Sequence, residues 1–454
     1  MTSGASVTGQ PTSLPAANQR TVWALAWPIM LSNITVPMLG LVDTAILGHL
    51  NDVQPLAAVA IGAQIFTLLL WSFGFLRMGT TSVTAYAVGQ KGINRSLPLL
   101  QQAIWLAIPV SMFCVIATQL LTPMLLPLFG DDPALHALTA EYLSTRFWGI
   151  PVTLLQYCLI GWFIGRGETR IPMLMLITAN LINAGLDYYF VWHLHMGAAG
   201  VALGTVLADI GALVIALVAA IQRGLNLRLP RPDTMILKRM VVINRDLFIR
   251  TLTLLIVFAS FAALGAAQST EVLAANAVLI SLLLLISNAL DGFAHAAESL
   301  VGRFLGAAQL VQMRKAIQLT GVNSLIAALI LVGAFVIAGD HLFWLLTDNE
   351  DVLPRLQEMH LWLWLLPLSG VASYWLDGIM VGAQATASMR NSMLAAAALV
   401  FFPIALLPIL LPSWTGSSEV SANTLLWVAF HLFLLARAAF LMPAITRIIQ
   451  TTYR

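Results

Sequence analysis

The sequence predicts an all-α membrane protein of twelve transmembrane helices, arranged as two pseudo-twofold six-helix lobes around a central cleft. Three observations lead there. Hydrophobic residues make up 59% and charged residues 9% of 454 positions, against roughly 45–50% and 25% in soluble domains. Apolar stretches of about 20 residues recur throughout, each long enough for a helix to cross a hydrocarbon core of roughly 30 Å, while the alternating pattern of a membrane barrel is absent. Finally, the two halves of the chain repeat one another in order.

Taking the elements in turn, residues 1–20 are polar and lack the basic segment and short apolar core of a cleaved signal peptide, so a disordered cytoplasmic tail is expected. Hydropathy and breaker residues then place an amino-terminal lobe over 21–222, with spans at 22–48, 56–88, 98–125, 136–164, 171–193 and 197–222. A hydrophilic connection at 223–246, with Pro230, Pro232 and clustered basic residues, is expected as a cytoplasmic linker. The carboxy-terminal lobe over 247–454 follows, with spans at 247–269, 273–305, 315–339, 354–383, 391–412 and 420–447.

The basic residues test this layout, because short cytoplasmic loops hold the excess of Lys and Arg. One side collects eighteen of the 22, including Arg20, Lys91, Arg95, Arg166, Arg170, Arg223, Arg250, Arg303 and Arg390, and only Arg77, Arg146, Arg355 and Arg437 fall elsewhere. The opposite loops carry Asp52, Asp131, Asp132, Glu271, Asp348, Glu350 and Asp351. Both termini are therefore expected in the cytoplasm, with an even number of spans. Cys114 and Cys158 lie in apolar runs, which argues against a structural disulfide or a metal-type cysteine spacing. The basic loop residues are topology determinants and imply no nucleic-acid partner.

Sliding the halves by about 217 residues brings GFLRMGTTSVTAYAVGQK onto DGFAHAAESLVGRFLGAA, so that Gly89 meets Gly306 and Ala85 meets Gly302. Nearly the same offset sets Pro151 and Gly165 beside Pro367 and Gly382, and Arg170 and Met173 beside Arg390 and Met393. Six helices separate the copies, so both enter from the same side, as a parallel repeat whose axis follows the membrane normal.

Carboxylates inside apolar stretches are the candidate functional groups, since one at mid-bilayer depth costs roughly 2.5–3.5 kcal/mol and is kept for an ion or substrate path. Asp43, Asp187 and Asp377 fit this description. Asn33, Pro37, Gly40 and Asp43 or Thr44 follow one another at steps of three and four along one face of the first span, where proline removes a backbone donor and loosens the helix. Asn180, Asn183 and Asp187 form a tighter stripe on the fifth span, and an Asn amide can donate to an ionised carboxylate or accept from a protonated one.

Four phrases in order, SNITVPMLGLVDTAILGHL, GRGETRIPM, NLINAGLDYYFVW and YWLDGIMVGAQATASMRNSM, resemble the multidrug and toxic compound extrusion (MATE) family, and FLRMGTTSVTAYAVG, NALDGFAHAAE and LDGIMVGA resemble its DinF-like bacterial branch. The resemblance implies a V-shaped cleft, alternating access, and export of small organic compounds against a proton or sodium gradient. It implies that Asp43 and Asp187 carry proton coupling, with Asn33, Pro37, Gly40, Asn180 and Asn183 supporting an amino-terminal cavity. Two acids in one poorly hydrated pocket titrate as a pair, and competition between proton and substrate there gives antiport by linkage. It also sets Asp377 at a carboxy-terminal cation site, but the seventh span lacks the carboxylate that NorM-type members supply, and this favours protons.

Tyr157, Met173 and Met175 are candidate cavity-lining residues, with Met suited to ligands of varied shape. Asp291 and Glu298 are taken as structural or near the membrane edge, and Arg77 and Asp209 as structural. HLHMG at 193–197 lacks an accompanying metalloenzyme motif, and no filter segment suggests a channel. The expectation is a monomeric exporter with the bilayer, small organic compounds and H⁺ or Na⁺ as its partners, without enzymatic activity, cofactor or metal site. Sodium-coupled antiport and flipping of a lipid-linked precursor are the alternatives.

Overall fold

The computed structural model describes residues 14–48, 54–226, 228, 230–347, 349–410 and 421–450, apart from the side chains of residues 34, 36–45, 48 and 128. The amino-terminal lobe comprises α1 (Gln19–Gly48), α2 (Gln54–Ser72), α3 (Phe75–Lys91), α4 (Leu97–Leu125), α5 (Pro133–Phe147), α6 (Ile150–Arg166), α7 (Arg170–Tyr188) and α8 (Gly197–Gln222). The carboxy-terminal lobe comprises α9 (Thr234–Ala266), α10 (Thr270–Gly306), α11 (Leu310–Leu346), short α12 (Leu353–Gln357), α13 (His360–Gly382), α14 (Thr386–Ala396), short α15 (Phe402–Ala405) and α16 (Leu407–Leu410), and the last helix, α17 (Ala422–Gln450). Among the described residues, ten helical stretches are long and apolar enough to cross a membrane, and α5 with α6 makes an eleventh crossing bent by 46°. The 30-residue α1 completes twelve.

Local chemistry sets several boundaries. Asp132 caps α5 through the Ala134 amide ahead of Pro133, and Ser269 caps α10 through the Val272 amide. Gly167 ends α6 in the left-handed region at φ +79°, where only glycine is unstrained. The second expected span is divided at Phe73–Gly74 into α2 and α3. A π-helical turn at Tyr189–His193 ends the fifth span.

Two expected boundaries are corrected. The linker expected over 223–246 is helical from Thr234, because Asp233 accepts from the Met235 and Ile236 amides and starts α9 there. The described part of the expected tail is docked, since Ala17 is fully buried and its amide donates to Gln312 on α11 at 2.9 Å.

The lobes meet where the repeat-equivalent residues lie. A Cβ on Gly89 of α3 would come within 1.9 Å of the Arg303 carbonyl of α10, and one on Gly306 of α10 within 2.0 Å of the Tyr86 carbonyl of α3. A Cβ on Gly302 would likewise fall 2.6 Å from that of Ala85. A twofold axis brings equivalent positions into mutual contact, and small residues let the backbones approach. Ser82 Oγ donates to the Val381 carbonyl at 2.6 Å and Ser299 Oγ to the Ile164 carbonyl at 2.7 Å, extending this seam. Lys91, Arg95 and Arg303 share this end of the bundle, called the basic end below.

Candidate functional site

Above the seam, between the lobes, lies a cavity of about 370 Å³. The amino-terminal lobe contributes Trp71, Arg77 and Tyr157; the other lobe contributes Arg250 and Phe258 from α9, Asp291, His295 and Glu298 from α10, Tyr374 and Asp377 from α13, and Phe430 and Arg437 from α17. Aromatic walls thus enclose a mixed array of fixed charges.

Those charges are ordered by pairing. Asp377 Oδ2 accepts from Arg437 Nη2 at 2.7 Å and also from Arg250. Arg77 Nη1 lies 3.6 Å from Glu298 Oε2 and 3.2 Å from His295 Nδ1. Asp291, by contrast, lines the cavity without a hydrogen bond or ion pair to any described residue. Arg146 pairs with Asp209 at 3.1 Å, and Arg355 with Glu358 at 3.5 Å. All four basic residues that fall outside the cytoplasmic set therefore have a carboxylate partner; for Arg77, Arg146 and Arg437 this offsets part of the cost of burying charge, whereas the Arg355 pair is exposed.

A second polar cluster sits within the amino-terminal lobe. Asp187 on α7 is 0% exposed, and a Cβ on Gly204 of α8 would come within 2.1 Å of its Oδ1. Asn183, 1% exposed, donates from Nδ2 to Thr205 Oγ1 at 3.1 Å. Asn180 Nδ2 donates to Thr35 Oγ1 on α1 at 2.7 Å. The three residues of the stripe thus tie α7 to α8 and to α1. Asp43, Pro37 and Gly40 fall on α1, but their side chains lie outside the described residues.

Other expectations are redistributed. Asn33 donates to the Asn288 carbonyl of α10 at 3.0 Å, so it joins the lobes. Tyr157 is among the residues that line this cavity, whereas α7 does not reach it, and Met175 is buried in the core at 1% exposure. Met173 and Met175 are thus not among the residues that line this inter-lobe cavity. Asp291 and Glu298, expected as structural or near the membrane edge, face the cavity because α10 runs for 37 residues along the cleft. Arg250, counted with the cytoplasmic set, is carried inward by α9 to the same place. Sequence reasoning missed His295 and the double arginine grip on Asp377. The signal for the grip was present in Arg437, an unexplained cation in an apolar run.

Comparison with known proteins agrees with this architecture. The MatE family model matches residues 28–189 and again 247–409, once in each lobe. DNA damage-inducible protein F of Escherichia coli K12 is 34% identical over 427 residues, covering 93% of this chain and 90% of that protein. A probable multidrug resistance protein NorM from Acinetobacter baylyi is 27% identical over 40% of this chain and 41% of its own. Among solved structures, MATE in the straight conformation superposes with a TM-score of 0.83 at 17% identity, covering 96% of this chain and 97% of that one. A MOP superfamily transporter from Pyrococcus furiosus gives 0.82 at 18%, with the same coverage. With a twelve-helix bundle in two repeated lobes, a charged cavity between them and a family match in each half, the chain belongs to the MATE family of multidrug and toxic compound extrusion transporters, in its DinF-like branch.

Proposed function

We propose that this transporter exports amphipathic, often cationic organic compounds across the bacterial inner membrane by proton antiport, with Asp187 and Asp43 carrying the proton and both termini in the cytoplasm. The observation that carries the reading is the environment of Asp187. It is a fully buried acid set among Asn183, Thr205 and Gly204, on a helix whose Asn180 grips α1 at Thr35. A protonation change there is mechanically linked to the helix that bears Asp43 and that also meets the other lobe through Asn33. Aromatic walls suit cationic, partly apolar substrates, and Asp291, without an ion-pair partner among the described residues, offers them a counter-charge.

The choice of proton over sodium is supported at Asp377. A sodium site needs several hard oxygen ligands, whereas two guanidinium groups already hold this carboxylate. The lobe contacts concentrated at the basic end support a cleft closed toward the cytoplasm and open outward. Purified protein in liposomes, with proton and sodium gradients imposed separately, tests the reading. Uptake of a fluorescent organic cation driven by the proton gradient alone is expected. Flux that follows only the sodium gradient, or lipid scrambling without cation flux, rejects it.

A further inference from the structure

The contact between Arg77, His295 and Glu298 has a property that its neighbours lack. His295 Nδ1 lies 3.2 Å from Arg77 Nη1 and 3.0 Å from Glu298 Oε2. A guanidinium only donates and an ionised carboxylate only accepts. One ring nitrogen therefore faces both a pure donor and a pure acceptor, and no single tautomer satisfies both. With Nδ1 bare, it accepts from Arg77 but opposes its lone pair to the carboxylate. With Nδ1 protonated, it donates to Glu298 but points a hydrogen at the guanidinium.

The position is also the one where the lobes exchange charge. Among the described residues, Arg77–Glu298 is the ion pair that joins one lobe to the other; the remaining ion pairs lie within a lobe. Glu298 is 2% exposed, and its Oε1 has no hydrogen-bond partner among the described residues, yet the residue lines the cavity between the lobes.

We propose that Arg77, His295 and Glu298 form a proton-binding site shared by the two lobes, and that uptake of one proton loosens the lobe contact. The proton has two places to go. On Glu298 it removes the negative charge that Arg77 pairs with; on the imidazole it sets a second cation beside the guanidinium. Either outcome weakens the same inter-lobe contact. Loss of the proton to the opposite side restores it, which makes the cluster a latch operated by the driving ion.

Charged and titratable groups on the packed elements do not quench this behaviour. Arg250 on α9 and Arg437 on α17 are both engaged by Asp377 of α13. Tyr374 of α13 and Tyr157 of α6 line the same cavity, as does Asp291, one turn away on α10 itself. On α11, charge is confined to the ends, at Arg314, Lys315, Asp340 and His341. On α1, Trp23, Ala26, Met30 and Asn33 meet α10, and all are uncharged. The site adds to the amino-terminal carboxylates and does not rest on them.

The test places spin labels at Glu141→Cys and Glu358→Cys, one exposed site on each lobe, with both native cysteines buried. The distance distribution is measured by double electron–electron resonance from about pH 8 to about pH 5. Wild type is expected to shift between two populations with acid. Glu298→Gln, which holds the shape of the protonated acid, is expected to show the acid population already at pH 8. His295→Gln supplies a separate acceptor for Arg77 and donor for Glu298, so it is expected to hold the latch and lower the midpoint by about one pH unit.

These opposite signs distinguish a proton site from mere packing. The proposal is overturned by a wild type that does not respond to pH, by Glu298→Gln matching wild type at pH 8, or by His295→Gln leaving the midpoint in place or raising it. If instead Asp187→Asn retains full proton-driven export while these shifts appear as expected, the amino-terminal reading fails and this one stands.

Discussion

Gly306→Ala is the perturbation whose consequence follows most directly from the coordinates. The added methyl would sit 2.0 Å from the Tyr86 carbonyl oxygen and 3.1 Å from the Gln90 amide nitrogen. Ordinary contact begins at 3.4 Å, so the backbone oxygen is roughly 1.4 Å too close. Neither atom belongs to a side chain that can swing aside; relief requires α3 and α10 to separate at the basic end. Overpacking of this kind costs about 1–3 kcal/mol, which corresponds to a roughly 5- to 150-fold change between the closed and open arrangements of that end.

The assay is thiol accessibility. Ser82 is fully buried in the seam, and a cysteine there is expected to react slowly with a maleimide in the otherwise unaltered protein. In Gly306→Ala the rate is expected to rise by roughly 5- to 150-fold, the change that about 1–3 kcal/mol gives, with transport falling in parallel. Gly89→Ala is expected to behave alike, because its methyl would meet the Arg303 carbonyl at 1.9 Å. Gly185→Ala, with open space around it, is the control. An unchanged Ser82→Cys rate in both seam variants would refute the reasoning.

Three further outcomes are expected. Arg437→Met leaves the buried Asp377 with Arg250 as its remaining guanidinium, so melting in detergent should show a loss at or below the roughly 3–5 kcal/mol of a fully broken buried pair, and Asp377→Asn added to it should recover part of that loss. Gly204→Ala forces the Asp187 carboxylate aside; the pH profile of export should move while Gly211→Ala, whose nearest neighbour is the flexible tip of Ile182, leaves it in place. Asp233→Ala removes an N-cap that serves two amides of α9 and should cost about 1 kcal/mol, visible as faster hydrogen exchange over residues 234–237.

The sequence made the crossings and their repeat legible because both depend on local, periodic information. A stretch that is apolar for 20 residues declares itself, and Gly89, Gly306, Ala85 and Gly302 keep their order because the same packing problem is solved twice around one axis. The Asn180, Asn183 and Asp187 stripe was visible for the same reason, as a polar line at helical spacing.

What stayed hidden is pairing across helices. Nothing local says that Arg250 and Arg437 converge on Asp377, or that His295 stands between Arg77 and Glu298. The start of α9 was misplaced because its first turns, TMILKRMVVINRDLF, are polar enough to resemble a loop. Asp233 as a cap and the apolar periodicity behind it were the signals that hydropathy averaging erased. Met173 and Met175 were assigned to the cavity by residue type, whereas the direction in which a helix faces decides what lines it.

The central claim is that a buried acid of the amino-terminal lobe exchanges its proton for substrate. Proton release on adding an organic cation such as ethidium to the purified transporter, in weakly buffered detergent solution, measures that exchange directly. The account predicts release by wild type that is lost in Asp187→Asn with substrate affinity retained. Equal release by the two proteins would contradict it.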